Sequence, residues 1–446
     1  MGNYQGYQKY KDSGVVWLGD IPEHWRVKRI KFLVNKIGSG KTPKGGSEVY
    51  IDSGIMLIRS QNVYDDGFRL DDVVYIDDEI DNIQANSRVF ANDILLNITG
   101  ASIGRVCLVP TDFQKANVNQ HVCIFRPKLK EIFPQYLHLL FCSTQGKEQI
   151  FSYENGTSRE GLNFQEAGNL TFAIPPLNEQ QKIAQFLDYK TKQIDELIKK
   201  KETLIEKLDE KRTSLISHAV TKGLDSSVPM KDSCIEWLGE IPKHWKVKRL
   251  KNIASCNDES LGENTAPDFE IEYVDISSVD LVSGIRHYEN MTFEKAPSRA
   301  RRKVQDGDTI ISTVRTYLKS IAAIKQPPIN LIVSTGFAVI RPKININSNY
   351  IGYLLQSEGF VGKVVSNSVG VSYPAINSSV LISLPVVEPP INEQQKIAQF
   401  LDYKTAQIDK QKAKIKQAIE LLKEYRTSLI TNAVTGKIDV SQVDIP

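Results

Sequence analysis

A glycine-rich stretch near the N-terminus is the first candidate for chemistry. Residues 38–42 read GSGKT, which resembles the end of a phosphate-binding loop. The full pattern requires glycine at position 35, where this chain has Asn35, and Pro43 follows where a helix should open. We therefore predict a glycine-rich turn. The alternative, a nucleotide hydrolase, predicts that Lys41→Ala abolishes function, whereas a turn residue should tolerate that change.

No other catalytic set stands out in the sequence. It contains no HExxH pair, no GxGxxG loop and no NPPY- or DPPY-like tetrad of a methyl-donor site. His24 and His244 recur within IPEHW and IPKHW, and we predict that they serve structural packing. The five cysteines are odd in number and form no CxxC, which favours free thiols. We expect no catalytic residue, no metal site and no cofactor bound by this chain.

Short polar and cationic segments are the better candidates, because arginine and hydroxyl side chains suit phosphate and base-edge contacts in DNA. Solvated loops often carry such residues without a ligand, so each is a hypothesis. In the first half of the chain the candidates are Thr99, Ser102, Arg105, Thr157, Ser158 and Arg159. In the second half they are Arg299, Arg301, Arg302, Lys303, Arg315, Tyr317, Ser372 and Tyr373.

Charge does not announce a nucleic-acid partner by itself. The net charge of the chain is +3. Residues 35–174 carry 13 Lys/Arg against 17 Asp/Glu, and residues 255–388 carry 12 against 14. A DNA-binding domain can be acidic overall when its basic face is segregated. Attraction to phosphates is then uneven, and a partner would supply much of it.

Two duplicated segments must position these candidates. Residues 178–191 and 392–405 both read NEQQKIAQFLDYKT, at an offset of 214. Residues 13–34 and 233–254 match at twelve of 22 positions, at an offset of 220. The chain is therefore two versions of one unit.

The middles of the two units share only a faint skeleton. FANDILLNITG at 90–100 aligns with QDGDTIISTVR at 305–315, and HVCIFRPK at 121–128 aligns with GFAVIRPK at 336–343. Short β-branched runs between Gly, Asn, Asp and Pro turns predict strand-rich mixed domains. The same scaffold would then carry different surfaces in the two halves.

The repeated ends predict long helices. Leu401, Ile408, Ile415, Leu422 and Leu429 recur every seven residues, and the same seam in the first copy is Leu187, Ile194, Lys201, Leu208 and Leu215. Asn178 and Asn392 are predicted as N-caps, with the proline pairs just outside. Each rod would pack against the other copy about a pseudo-two-fold axis. The alternative is a coiled-coil scaffold or tether, which has no need of two heads of unlike sequence.

The predicted fold class is α+β, with two tandem mixed α/β domains joined by two long antiparallel helices. The predicted segments are a tail at 1–12, a first head at 13–174, a first helix at 175–222, a linker at 223–232, a second head at 233–388, a second helix at 389–436 and a tail at 437–446. The polar N-terminus and the lack of an apolar run of ~18 residues predict a cytoplasmic protein without membrane contact.

The motifs carry a family resemblance. The duplicated WLGxIPxHW opening, the duplicated PPxNEQ segment with the helix after it, and APSRAR at 296–301 resemble the specificity (S) subunit of type I restriction-modification systems. The resemblance covers residues 13–439. The order and the duplication of these short motifs make it specific.

The resemblance implies a function. Each head would read one half of a split, asymmetric site in double-stranded DNA, and the helices would set the gap and dock two methyltransferase (M) subunits. Those partners would bind S-adenosylmethionine and methylate adenine N6, and restriction/translocase (R) subunits would cleave. The chain itself would be non-catalytic. A modification-only system would use a similar chain, because the difference lies in which subunits are present.

Overall fold

The computed structural model describes residues 4–153, 161–441 and 443–444. The chain divides into two compact units, and each unit takes part of both long helices. Unit 1 comprises Met1–Lys201 with Gln417–Pro446, and unit 2 comprises Glu202–Lys416. The segment predicted as the first head, residues 13–174, lies in unit 1, and the segment predicted as the second head, residues 233–388, lies in unit 2.

The first head is rich in short strands. They are β1 (Tyr10–Asp12), β2 (Asp20–Pro22), β3 (Arg26–Arg29), β4 (Val34–Ser39), β5 (Ile55–Ile58), β6 (Val63–Tyr64), β7 (Gly67–Phe68), β8 (Val74–Ile76), β9 (Ile94–Asn97), β10 (Val106–Leu108), β11 (Ala116–Val118), β12 (Val122–Pro127) and β13 (Thr171–Ile174). Its helices are α1 (Ile30–Leu33), α2 (Asp78–Ile83), α3 (Pro134–Cys142), α4 (Thr144–Ser152) and α5 (Phe164–Asn169). The first long helix, α6 (Leu177–Lys222), follows directly.

The second head repeats this order with variations. Its strands are β14 (Met230–Asp232), β15 (Glu240–Pro242), β16 (Lys246–Arg249), β17 (Ala254–Cys256), β18 (Glu270–Val274), β19 (Val279–Asp280), β20 (Gly284–Ile285), β21 (Glu289–Thr292), β22 (Ala300–Lys303), β23 (Thr309–Ser312), β24 (Ile321–Ala323), β25 (Leu331–Ser334), β26 (Phe337–Pro342) and β27 (Pro385–Glu388). Its helices are α7 (Leu250–Ile253), α8 (Ser348–Gln356), α9 (Glu358–Ser366) and α10 (Ser378–Leu381), and the second long helix is α11 (Ile391–Val434).

Two sheets form the body of each head. In the first head they have the strand orders β10-β9-β12-β4 and β11-β5-β8, and in the second head β24-β23-β26-β17 and β21-β18-β25-β22. The first sheet of each head is antiparallel, whereas the second contains one parallel pair, β5 with β11 or β18 with β25. The aligned segments of the sequence become β9 and β23, and β12 and β26, at the centre of these sheets.

The shared skeleton also contains a buried ion pair at the same place in both heads. Arg126 donates two hydrogen bonds of 2.8 Å to Asp93, which is fully buried. Arg341 donates bonds of 2.9 and 3.0 Å to Asp308, which is 1% exposed. Each pair joins the start of the central strand to the end of its neighbour and so helps to fix their register. Removing one partner of such a pair leaves a buried charge uncompensated, which typically costs about 3–5 kcal/mol.

The long helices begin two residues earlier than the predicted N-caps indicated. The carbonyl of Pro176 accepts hydrogen bonds from the backbone N–H groups of Glu179 and Gln180, at 2.9 and 3.0 Å. Pro390 does the same for Glu393 and Gln394. The second proline of each pair therefore occupies the N-cap position, and the prediction of Asn178 and Asn392 as caps was wrong. Proline fits there because a helix start has no use for its missing N–H.

Side chains pair the two helices in antiparallel order within each unit. In unit 2, Arg212 lies 3.8 Å from Asp409, and Lys412 forms an ion pair with Asp209. From Asp209 to Arg212 the chain advances three residues on α6, while their partners run back three residues on α11, from Lys412 to Asp409. The two helices are therefore antiparallel in this unit. In unit 1, Arg426 contacts Asp195 at 2.9 Å. This is the same pairing as that of Arg212 with Asp409, repeated at the offset of 214.

A carboxylate in the first turn of each helix holds the opening motif of its head. In unit 1, Glu179 accepts hydrogen bonds from the indole N–H of Trp25 at 3.0 Å and the Tyr7 hydroxyl at 2.6 Å, and pairs with the His24 ring at 2.8 Å. In unit 2, Glu393 pairs with Trp245 at 2.9 Å and His244 at 2.6 Å. The repeated His-Trp pairs thus serve structural packing, as predicted. Burial and the bond to Glu179 raise the pKa of Tyr7, so its phenol remains a donor.

The other end of each helix is held by a buried tyrosine. Tyr136 of α3 donates to the carbonyl of Val434 at 3.1 Å, and Tyr350 of α8 donates to the carbonyl of Val220 at 3.3 Å. Both rings are fully buried. Each head therefore contacts the beginning of one long helix and the end of the other within its own unit.

The terminal segments pack together in unit 1. The Asp439 N–H donates to the carbonyl of Gln5 at 2.7 Å, and Tyr10 donates to the carbonyl of Gly436 at 2.9 Å. Tyr4 lies edge-on against Phe186, with ring centroids 5.3 Å apart. Residues 4–12 and 437–441 thus complete the unit beside the Glu179 carboxylate.

We expect Glu179→Ala to lower the free energy of unfolding by about 3 kcal/mol. The substitution removes the acceptor of Tyr7, His24 and Trp25 and leaves the buried indole N–H without a hydrogen bond. Glu393→Ala should cost about half as much, since the Glu393 side chain is 37% exposed and water can replace it. Calorimetry on the full-length variants measures both. Tyr7→Phe is the matched control, which removes one donor and should cost about 1 kcal/mol. Equal losses for the two glutamates would contradict this account.

Candidate nucleic-acid interface

Three loops of the first head meet at one edge of its central sheet. The loop after β9 pairs with residue 161 through a backbone bridge between Thr99 and Gly161. The Thr99 hydroxyl lies 2.6 Å from Nδ1 of His121, in the turn before β12. Ser102 lies half-buried on the same loop as Thr99. The predicted residues Thr157, Ser158 and Arg159 lie outside the described residues, just before this bridge.

The GSGKT segment lies at the same edge, where Gly38 and Ser39 end β4 and residues 40–42 continue as irregular chain. It leaves β4 and runs into a 3₁₀ turn at Gly46–Val49, where a nucleotide-binding loop would open a helix. The Gly40 N–H donates to the carbonyl of Asn119 at 3.1 Å, and the Thr42 hydroxyl bonds to the side chain of Gln120. The prediction that GSGKT is not a phosphate-binding loop is confirmed, but the predicted turn lies after it, where the Gly46 N–H donates to the Pro43 carbonyl at 3.0 Å. Analysis of the sequence missed Thr42, Gln120 and His121 as neighbours of Thr99, although all lie in polar runs next to strands.

Arg105 lies at the end of the loop after β9 and packs on Tyr64 of β6. Its guanidinium lies 4.5 Å from the centroid of the Tyr64 ring, which Arg69 also approaches at 5.0 Å. Below it, Lys147 forms an ion pair with Asp65 at 2.8 Å and donates to the Gly104 carbonyl at 2.6 Å. The loop is therefore held in place by contacts of its own, and Arg105 is pre-positioned rather than free to swing.

The second head brings its predicted loops together in the same way. Val314 pairs with Ala375 as Thr99 pairs with Gly161, again at the 214 offset on the C-terminal side. The Arg315 N–H donates to the Pro374 carbonyl at 2.7 Å, and its guanidinium lies 4.5 Å from the Tyr373 ring centroid. Tyr317, which is 50% exposed, and the exposed Ser372 lie on these loops. Four of the predicted residues, Arg315, Tyr317, Ser372 and Tyr373, therefore share one edge.

The SRARRK segment is less uniform than its sequence suggests. Arg299 forms an ion pair with Asp275 at 2.8 Å, and its carbonyl accepts from Thr335 in the turn before β26, which places it beside the loop edge. Arg299 donates a hydrogen bond of 3.2 Å to the Tyr273 hydroxyl, and this bond and the charge of Asp275 raise the pKa of Arg299.

The following cations of this segment contact different elements. Arg301 lies over the Phe293 ring at 4.5 Å, whereas Arg302 is half-buried and donates to Ser260 at 3.3 Å. Lys303 is exposed at the end of β22. Of these four predicted residues, Arg299 lies beside the loops. The other three lie on β22, which pairs with β25 in the sheet.

The two loop edges offer hydroxyls, amides, an imidazole and guanidinium groups. Such groups bind phosphate oxygens and the edges of bases. Among the described residues there is no group of three or more His, Cys, Asp or Glu side chains that could hold a metal ion. Within the same residues, no helix has the length and apolarity that crossing a membrane requires. All five cysteines are free, and burial raises the pKa of Cys123 to about 12.

Comparison with known families identifies the class of protein. A model of the type I restriction modification DNA specificity domain matches residues 22–207 and again residues 242–421. The two matches cover more than half of the chain and follow its internal repeat. The chain therefore belongs to the family of type I restriction-modification specificity subunits, with two DNA recognition domains.

Individual relatives agree along the whole length. The chain is 26% identical over 433 residues to a putative type I restriction enzyme MjaX specificity subunit of Methanocaldococcus jannaschii, which covers 95% of this chain and 96% of the relative. It is 26% identical over 446 residues to the MjaVIII specificity subunit of the same organism, with 95% of both chains covered. Similarity to the EcoKI specificity subunit of Escherichia coli is higher, at 36%, but spans 22% of each chain.

Solved structures share the fold. One chain, from a study of complex assembly and conformational transition of the type I R-M system, superposes with a TM-score of 0.68 at 16% identity and covers 93% of this chain and 98% of its own. The HsdS subunit from Thermoanaerobacter tengcongensis superposes with a TM-score of 0.52 at 16% identity, with 94% and 98% covered. Both support the predicted α/β recognition domains joined by long helices.

The close approach of Gly40 to the turn before β12 gives a prediction. A Cβ at Gly40 would lie 1.6 Å from the backbone oxygen of Val118, so Gly40→Ala must displace the loop edge. We expect a loss of about 2 kcal/mol in unfolding free energy, measured by denaturation, together with weaker DNA binding.

Two controls come from the same segment. Gly38→Ala meets nothing closer than the Lys36 side chain at 3.9 Å and should be tolerated. Lys41→Ala should also be tolerated, because Lys41 is exposed on the irregular chain after β4. Loss of function in Lys41→Ala with an intact fold would revive the nucleotide-binding hypothesis.

Proposed function

We propose that this chain is the non-catalytic DNA-recognition subunit of a type I restriction-modification complex, in which each head reads one half of a split, asymmetric site in double-stranded DNA. The observation that carries the proposal is the pairing of one conserved frame with two unlike loop edges. By frame we mean the contacts that recur in both heads. They are the ion pairs Asp93–Arg126 and Asp308–Arg341 and the hydrogen bond from a tryptophan indole to Glu179 or Glu393. The loop edges differ in sequence, as two readers of different bases should.

The proposal extends to partners and cofactor. Two methyltransferase subunits would dock on the long helices, bind S-adenosylmethionine and methylate adenine N6 in each half-site. Restriction/translocase subunits would join them to cleave unmethylated DNA. The helices would set the unspecified gap between the half-sites. The relatives are named as specificity subunits of type I restriction enzymes, which supports the role of partners. The middle parts of both heads, residues 35–174 and 255–388, carry a net negative charge, so partners would supply much of the attraction to DNA phosphates.

An arginine in the same loop of each head is the strongest candidate for base reading. Arg105 and Arg315 both follow the central strand, and each lies 4.5 Å from a tyrosine ring. A guanidinium held flat on an aromatic ring keeps its donors pointing outward. Two donors of such a group match the acceptors O6 and N7 of guanine in the major groove. In this proposal Arg105 reads the first half-site and Arg315 reads the second.

We expect single-molecule sequencing of DNA from a host that carries this chain and its partner methyltransferase to show a split motif with N6-methyladenine in each half. Deleting the chain should abolish the modification. Arg105→Ala should relax or weaken only the first half of the motif, and Arg315→Ala only the second, by roughly tenfold in affinity. Each variant is the control for the other.

Two results would count against the proposal. Methylation that persists without the chain would remove the targeting role. Variants that weaken both halves equally would show that the arginines contact phosphates or support the fold, and do not read bases. In a modification-only system the same motif would appear without cleavage, so a restriction assay on unmodified phage DNA decides whether restriction subunits take part.

A further inference from the structure

The loop at residues 368–376 of the second head has a firmly anchored turn at its end. Val369 and Ala375 exchange two backbone hydrogen bonds, of 2.9 and 3.0 Å. Gly370, at a φ of +118°, adopts a conformation that favours glycine. The Ser368 hydroxyl lies 2.7 Å from the Thr316 hydroxyl in the neighbouring loop. We call residues 369–373 the tip.

The tip presents apolar side chains to solvent. Val371 is fully exposed, and Val369 is 81% exposed. Tyr373 turns toward Arg315, while Leu318 on the adjoining loop is 51% exposed. An anchored loop that keeps two isopropyl groups in water gains free energy when a ligand buries them. The tip adjoins Arg315, so it is continuous with the edge that we assign to DNA.

The chemistry of the tip selects one feature of a base pair. Valine can neither donate nor accept a hydrogen bond, so Val371 cannot distinguish bases by their polar edges. The apolar group that a base presents in the major groove is the C5-methyl of thymine. We propose that Val371, with Val369 beside it, reads a thymine methyl in the half-site of the second head. This inference rests on the proposed function and names the base feature that the second head recognises.

The first head carries a different chemistry at the equivalent positions. Gly156, Thr157, Ser158 and Arg159 precede Gly370, Val371, Ser372 and Tyr373 by 214 residues, so GTSR stands where the second head has GVSY. The glycine and the serine are kept, while threonine, which carries a hydroxyl, stands in place of the valine, and arginine stands in place of the tyrosine. A purely apolar side chain at this position is thus found in the second head, whereas Thr157 of the first head combines a methyl group with a hydroxyl.

Replacing thymine by deoxyuridine tests the inference, because uracil pairs identically and lacks the methyl group. The full chain, in complex with its methyltransferase partner, is titrated with duplexes that carry the mapped motif. Each thymine of the second half is replaced in turn. At one position we expect affinity to fall about fourfold, the value of one buried methyl group.

Variants of the tip then assign the contact. With Val371→Ala, affinity for natural DNA should fall, and the difference between thymine and uracil at that position should shrink toward zero, as a double-mutant cycle requires. Ile329→Ala is the matched control. Ile329 is also fully exposed, but it lies before the start of β25. The loop edge lies at the opposite end of that strand, so Ile329 is away from the proposed contact. Ile329→Ala should leave both affinities unchanged. Uracil substitutions in the first half should have the same effect on affinity with and without Val371→Ala.

The inference is overturned if the second half-motif contains no thymine, or if no uracil substitution there weakens binding. It is also overturned if Val371→Ala weakens thymine and uracil DNA to the same extent, which would show an apolar contact without methyl recognition. Failure of the proposed function looks different, because the complex would then show no preference for any motif on natural DNA.

Discussion

The hydrogen bond between an indole N–H and a glutamate in the first turn of a long helix is the contact on which each unit depends. It joins the WLGxIPxHW opening to the NEQ segment, two stretches separated by some 150 residues, and thereby closes each head on its helix. The same carboxylates lie at helix N-termini, where the macrodipole favours negative charge. A buried tyrosine, Tyr136 or Tyr350, completes the arrangement at the end of the opposite helix.

This frame explains why the two heads can differ freely elsewhere. In each head the ion pair of Asp93 or Asp308 lies at one end of the central strand, while the loops of the candidate interface leave the other end. Sequence changes in the loops therefore leave the contacts that hold the strand register intact. A surface for new specificity is thereby separated from the interactions that stabilise the fold, as is common for binding loops on a rigid scaffold.

The sequence predicted the repeat, the long helices and the mixed domains because these follow from periodicity and duplication. It also named Arg315 and Tyr373 as separate candidates in the second half, and the fold brings them together, with the Arg315 guanidinium 4.5 Å from the Tyr373 ring centroid. It failed where local geometry decides. The carbonyl of Pro176 starts the helix that Asn178 was expected to cap, and adjacent arginines of SRARRK contact different elements since strand β22 fixes their directions. The turn residues Gln120 and His121 carried no signal beyond polarity.

The two units solve one structural problem by different means. In unit 2 a short covalent linker leads from the end of α6 to the opening motif, so their proximity is built into the chain. In unit 1 the equivalent segments, residues 4–12 and 437–441, lie more than 400 residues apart in the chain, and closing so long a loop costs more conformational entropy. The additional contacts of unit 1 fit this difference. Tyr7 adds a third donor to Glu179, and Asp439 joins Gln5, so non-covalent bonds replace the linker that unit 2 possesses.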